Sequence, residues 1–184
     1  MEVLIALGSN TPFAGETAED TVLRALDALP SAGFDLVRAS ALYRTPCFPA
    51  GAGPDYINAA AVLAPTGTPA DALARLHRIE AAFGRERVQR WGSRVLDLDL
   101  LAWGDVILPN LATFETWRAL PADQQSTTAP ETLILPHPRL QDRAFVLVPL
   151  NEIAPNWRHP VLGQSVSQLT DALAAVDRAA ITRL

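Results

Sequence analysis

Lysine is absent from this 184-residue chain: all 15 basic side chains are arginine, set against 20 acidic ones. Without lysine there is no Schiff-base nucleophile, no amine general base and no GxxxxGK[ST] phosphate loop. Arginines and metal ions must therefore handle any polyphosphate. Cysteine is nearly absent as well. Cys47 alone allows no internal disulfide and no cysteine zinc cluster, which fits a reducing compartment. No apolar run approaches the roughly 18 residues that suggest a membrane span. The opening stretch Met1 to Leu7 lacks the basic region of a signal peptide. A cytoplasmic protein with no membrane partner is expected. The formal charge of −5 and a pI near 5.1 argue against a general nucleic-acid binder. There is no GxSxG element, and three scattered histidines do not make a zinc site.

What is present is a globular composition, with 49% hydrophobic and 19% charged residues. The length suits one domain, 1–184, with no internal repeat, and a monomer is expected. Val3 to Leu7 reads as a buried strand closed by a Gly8-Ser9-Asn10 turn. Thr17-Ala18-Glu19-Asp20 has the form of a capping box before a helix carrying Val22, Leu26 and Leu29, with Pro30 at its end. Phe34 to Arg44 alternates as one strand, and Asp55 to Ala64 reads as its partner. Thr68, Pro69 and Asp71 open a second helix with the stripe Leu73, Leu76, Ile79 and Phe83, and Gly84 closes it. Val95 to Trp103 completes the order β-α-β-β-α-β, a ferredoxin-like α+β layout. Residues 105–132, with three prolines and a polar tract, read as a long loop without regular structure. The type of the apolar run Arg143 to Leu150 stays open. Ser165 is a candidate cap for a last helix carrying Leu169, Leu173 and Val176.

The sharpest chemical feature is Leu96-Asp97-Leu98-Asp99-Leu100. On a strand, alternate side chains share a face, so the two carboxylates sit about 7 Å apart on one side while the leucines enter the core. Such a pair can hold Mg²⁺, which takes one or two carboxylates plus substrate phosphates. The alternative is a half-buried strand whose acidic face is merely wet. Arg85, Arg87, Arg90 and Arg94 lie directly before it, a stretch that alone would read as a solvated charge run. Beside two carboxylates it would suit a metal–polyphosphate complex, because guanidinium groups fork onto phosphate oxygens. Trp91 within that loop can anchor a core or stack on a ligand. Tyr56 and Asn58 share a strand face and together offer a ring and an amide to a flat heterocycle. His137 is held between Pro136 and Pro138, close to Arg139 and Arg143, as a phosphate contact would be. His77 and Glu80 are neighbours on the second helix.

Taken in order, Ala6-Leu7-Gly8-Ser9-Asn10, Tyr43-Arg44-Thr45-Pro46, Asp55-Tyr56-Ile57-Asn58-Ala59, Arg90-Trp91-Gly92-Ser93-Arg94 with Leu96-Asp97-Leu98-Asp99, and Leu135-Pro136-His137-Pro138-Arg139 resemble one family. That family is 6-hydroxymethyl-7,8-dihydropterin pyrophosphokinase of folate biosynthesis, and the resemblance covers roughly residues 3–160. It implies an α-β-α sandwich with a ferredoxin-like core and a mainly antiparallel sheet. It also implies transfer of pyrophosphate from ATP to the pterin hydroxymethyl, with release of AMP. Carried over by position, Asp97 and Asp99 become ligands of two Mg²⁺ ions, with Asp97 also orienting the attacking hydroxyl. Arg85 and Arg94 become catalytic arginines on the triphosphate. Glu80, Arg87, His137 and Arg143 join Arg94 at ATP. Tyr56 and Phe145 become the rings around the pterin, Asn58 and Thr45 read its edge, and Trp91 closes over it. Ser93 stands where the family commonly has proline, and His77 where glutamine is familiar. The 105–132 segment is an insertion, either a flap over the site or, the reading favoured from sequence, an inert excursion. Two competing functions are an RNA-binding sheet, whose aromatic signature is missing, and a Mg²⁺-dependent phosphohydrolase built on the same aspartates.

Overall fold

The computed structural model describes residues 1–47, 53–84, 95–121, 124 and 128–184. Among them six strands form one sheet: β1 (Val3–Ser9), β2 (Asp35–Ala39), β3 (Tyr43–Thr45), β4 (Tyr56–Ala64), β5 (Asp97–Trp103) and β6 (Thr182–Arg183). The order is β5-β1-β4-β3-β6, with β2 beside β3 on the same edge of β4, and every described pair is antiparallel. With β2 and β3 counted as one interrupted strand, β1-α1-β2/β3-β4-α2-β5 keeps the β-α-β-β-α-β order expected of a ferredoxin-like α+β core.

Two helices cover one face. α1 (Ala18–Ser31) starts at a capping box in which Thr17 accepts from the Asp20 amide and Asp20 accepts from the Thr17 amide. α2 (Pro69–Ala82) repeats the device with Thr68 and Asp71, and Gly84 beyond its end has φ +75°. Their apolar stripes bury Val22, Leu26, Leu29, Leu76 and Ile79 against Ile5, Leu7, Leu98 and Leu100 of the sheet. The other face carries α4 (Ala144–Ile153) and α5 (Val166–Ala172), which close over Leu4, Ala60, Val62 and Leu101. Alternation along each strand therefore feeds two apolar layers, giving the α-β-α sandwich. No helix among the described residues is long and apolar enough to cross a membrane.

Several local expectations are corrected. β1 runs through Gly8 and Ser9, which pair with Asn58 and Ile57 instead of forming a turn. Phe34 to Arg44 is not one strand: the hydroxyl of Ser40 takes the Ala60 amide at 2.9 Å, a ladder position usually filled by a backbone carbonyl, and the chain breaks before β3. Pro30 does mark the end of α1, sitting in its last turn one residue before Ser31. The apolar run from Arg143 is helical. The capped helix after Ser165 ends at Ala172. Leu173 is extended, and Val176 on α6 (Ala175–Ala179) is 74% exposed. Arg178 donates to the Thr170 and Asp171 carbonyls freed by that break.

The 105–132 stretch contains α3 (Leu111–Arg118), capped by Asn110, whose side chain accepts from the Thr113 amide at 2.9 Å. Phe114 buries the helix against His159, ring centroids 5.7 Å apart, and Trp157 contacts the same imidazole at 5.9 Å. Nδ1 of His159 accepts from the Val161 and Leu162 amides, so the proton of the neutral ring sits on Nε2, which makes no hydrogen bond. Burial, helped by the Arg118 guanidinium, pushes this imidazole down to about 4. A histidine held neutral in the fold must take up a proton to unfold in mild acid. Its contribution is full above the ordinary 6.5 and is lost as pH falls through about 4. The thermal midpoint should accordingly fall between pH 7 and pH 4, and His159→Gln should fall less steeply, as measured by circular dichroism melts.

Candidate active site

The two aspartates stand at the start of β5. Leu98 and Leu100 enter the core on the α1–α2 side, while Asp97 and Asp99 are half-exposed on the opposite face. Between them the Leu98 amide donates to Oε1 of Glu80 at 2.8 Å. Glu80 reaches up from α2 and is only 1% exposed. A buried carboxylate is costly unless well bonded, so this contact fixes the strand segment that presents both aspartates.

On the other side, the guanidinium of Arg143, immediately before α4, lies 3.7 Å from the Asp99 carboxylate and 5.6 Å from the Phe145 ring. The Leu135-Pro136-His137 segment runs along β5, with the His137 amide donating to the Leu101 carbonyl at 2.7 Å. The Arg139 amide donates to Nδ1 of His137, which puts the proton of the neutral ring on Nε2. Desolvation, with Arg143 next in effect, holds this imidazole down to about 3, so at neutral pH it serves as an uncharged donor. Asp97, Asp99, Glu80, His137 and Arg143 all border one cavity of about 650 Å³.

Strand register explains a second cluster. Gly8 pairs with Asn58 on one side and with Asp97 on the other, so these three form a row across β4, β1 and β5. Directly opposed residues share a face, and two strand spacings put Asn58 about 10 Å from Asp97. Asn58 is 6% and Thr45 3% exposed, and the Asn58 amide nitrogen donates to the Thr45 hydroxyl at 2.7 Å. Tyr56, paired with Thr45, lies two residues along the same face, and Phe145 opens α4 with 39% exposure. These four do not border the large cavity but adjoin it across the Gly8 row. The sequence places Gly8 in a turn and in the first of the family-like motifs, but its position between Asn58 and Asp97 emerges only from the strand register. Arg85, Arg87, Trp91 and Arg94, with the Ser93 departure, lie outside the described residues.

The donor set can be tested against magnesium. Among the described residues no three histidine, cysteine or acidic side chains converge as a metal cage, so the two carboxylates would make an incomplete one. That is the set Mg²⁺ accepts when phosphates and water complete its shell. A neutral imidazole and a guanidinium beside them suit an anionic ligand.

Residues 4–155 match the family model of 7,8-dihydro-6-hydroxymethylpterin-pyrophosphokinase. Proteins described as 2-amino-4-hydroxy-6-hydroxymethyldihydropteridine pyrophosphokinase are similar along most of the chain. That of Pseudomonas aeruginosa is 35% identical over 182 residues, covering 99% of this chain and 96% of its own. That of Haemophilus influenzae is 34% identical over 170 residues, covering 91% and 92%. That of Synechocystis is 39% identical over 140 residues, and the match spans 76% of this chain but 61% of the relative. The crystal structure of Plasmodium falciparum HPPK-DHPS shares the fold, with a TM-score of 0.63 at 14% identity over 92% of this chain and 44% of that one. The chain belongs to the 7,8-dihydro-6-hydroxymethylpterin-pyrophosphokinase family.

Proposed function

We infer that this chain transfers the pyrophosphoryl group of ATP to 6-hydroxymethyl-7,8-dihydropterin, the step its family performs in folate biosynthesis, with Asp97 and Asp99 at the reacting centre. The observation that carries the assignment of residues is the Asn58–Gly8–Asp97 row. It joins a buried amide, suited to a heterocycle edge, to a carboxylate suited to a metal–phosphate complex. Asn58 and Thr45 read the pterin edge, and Tyr56 and Phe145 supply its ring faces. The hydroxymethyl group then lies toward Asp97.

In the reaction the hydroxymethyl oxygen attacks the β-phosphorus of ATP. The bond from that phosphorus to the bridging oxygen breaks, and AMP leaves with the oxygen. The hydroxyl proton passes to the Asp97 carboxylate and on to solvent. Arg143 and the Nε2–H of His137 hold phosphate oxygens, and Arg85, Arg87 and Arg94 add guanidinium charge, so the developing negative charge is met without lysine. Asp97 and Asp99 would hold Mg²⁺, as two ions, and the metal would supply Lewis-acid stabilisation of the phosphoryl oxygens. Trp91 and Glu80 complete the pterin and ATP sides respectively. The chain acts as one domain, 1–184, monomeric and cytoplasmic, with the 105–132 segment as an insertion.

The decisive assay follows AMP release from MgATP with and without the hydroxymethyl pterin. AMP should appear only when pterin is present and should disappear when EDTA is added. Release of phosphate or ADP without pterin would instead identify a phosphohydrolase.

A further inference from the structure

The cavity beside the aspartates has two chemically different parts. Asp97, Asp99, His137 and Arg143 suit a metal-bound triphosphate, while Leu73, Leu100, Leu133 and Ile134 offer only apolar surface. Trp117 borders the same cavity from α3 and is the only indole or phenyl ring in the described lining. Trp103 is buried in the core, and the indole of Trp157 is tied to the Gly104 carbonyl.

Trp117 is half-buried, and the helix presenting it is held firmly. Phe114, one turn earlier, is fully buried against His159. Before the helix, Leu108 and Leu135 exchange two backbone hydrogen bonds of 2.8 and 3.1 Å. After it, the Arg139 guanidinium donates to the Leu120 carbonyl at 2.5 Å. Arg139 belongs to the same Pro-His-Pro-Arg run that carries His137, so the insertion and the phosphate side share one anchor. Thr128, Pro130, Glu131 and Thr132 border the cavity as well, so the excursion forms part of its wall.

We propose that Trp117 is a substrate-positioning residue: its indole packs against the purine of ATP and so sets the seat of the nucleotide relative to Asp97 and Asp99. A purine has two apolar faces and needs such a wall, whereas a triphosphate does not. The inference rests on the pyrophosphokinase reading above.

The test compares two ligands with Mg²⁺ present, α,β-methylene-ATP and inorganic tripolyphosphate, by calorimetry on the full chain. Stacking a base on an aromatic ring strengthens binding by roughly five- to a hundredfold in nucleic-acid complexes. Trp117→Ala should thus weaken the ATP analogue about tenfold while tripolyphosphate stays within about twofold. Trp117→Phe, which keeps a ring, should stay within about threefold of the wild type for both. A purely structural tryptophan would weaken both ligands together. That result, or an unchanged affinity for the analogue in Trp117→Ala, overturns the proposal. Wild-type protein that fails to bind the analogue would overturn the pyrophosphokinase reading and this inference with it. Wild-type binding with no effect in the variant removes the inference alone.

Discussion

Asp97→Asn and Asp99→Asn should each lower kcat by at least about a thousandfold and leave the melting temperature unchanged or slightly higher. The two effects separate because the carboxylates contribute little to the fold. Both are half-exposed at the end of a strand, two residues apart on one face, and like charges at that spacing repel. Asp99 pairs with Arg143 at 3.7 Å, both groups about one-third exposed, and such pairs contribute on the order of 0–1 kcal/mol. Asparagine keeps the shape and the strand alternation, so Leu98 and Leu100 stay in the core. Turnover is different. Holding magnesium on phosphoryl oxygens accounts for several kcal/mol of transition-state stabilisation, and each 1.4 kcal/mol or so is tenfold in rate. A neutral amide forfeits most of it. Steady-state assays at saturating Mg²⁺, alongside thermal melts, decide the matter. Either variant retaining more than about a tenth of the wild-type kcat would remove that aspartate from the reacting centre.

Glu80 prepares the same centre from behind. Removing its carboxylate in Glu80→Ala leaves the buried Leu98 amide without that acceptor, which costs about 1–3 kcal/mol. Glu80→Gln keeps an acceptor oxygen in place and should hold more of the stability.

These features differ in how visible they are along the chain. The capping boxes at Thr17 and Thr68 and the Asp97–Asp99 alternation are local: each is complete within four residues, and each is found where the pattern puts it. α3 lacks such a pattern. Eight residues with one fully buried side chain, Phe114, make no stripe, and only Asn110 after Pro109 hints at a start. The break at Ser40 depends on a hydroxyl meeting the Ala60 amide twenty residues away, which propensity cannot register. Trp117 and the Gly8 row are the extreme cases. A row across β4, β1 and β5 exists only once three distant segments pair in one register, and a one-residue slip of β4 or β5 would send Asn58 or Asp97 to the other face.

Gly8→Ala is the sharpest test of that row. It should raise KM for the pterin about ten- to a hundredfold while the affinity for MgATP stays within about threefold. The backbone at Gly8 is ordinary strand, so alanine fits its conformation and the pairing of β1 should survive. The space beside it is what forbids a side chain. A Cβ at residue 8 would lie 2.7 Å from Oδ1 of Asn58, closer than carbon and oxygen tolerate. Asn58 cannot swing aside at little cost, because its amide nitrogen is bonded to the buried Thr45 hydroxyl at 2.7 Å. Breaking that bond in a buried setting costs on the order of 1–3 kcal/mol. The added methyl must therefore displace the amide proposed to read the heterocycle edge, and a site built on buried polar contacts discriminates steeply once they are unpaired. Asn58→Ala alone should weaken pterin binding comparably. Combined in one protein, the two changes should cost no more than Asn58→Ala, since removing the amide removes the clash. An unchanged KM for the pterin in Gly8→Ala would mean that the heterocycle does not lie across this row.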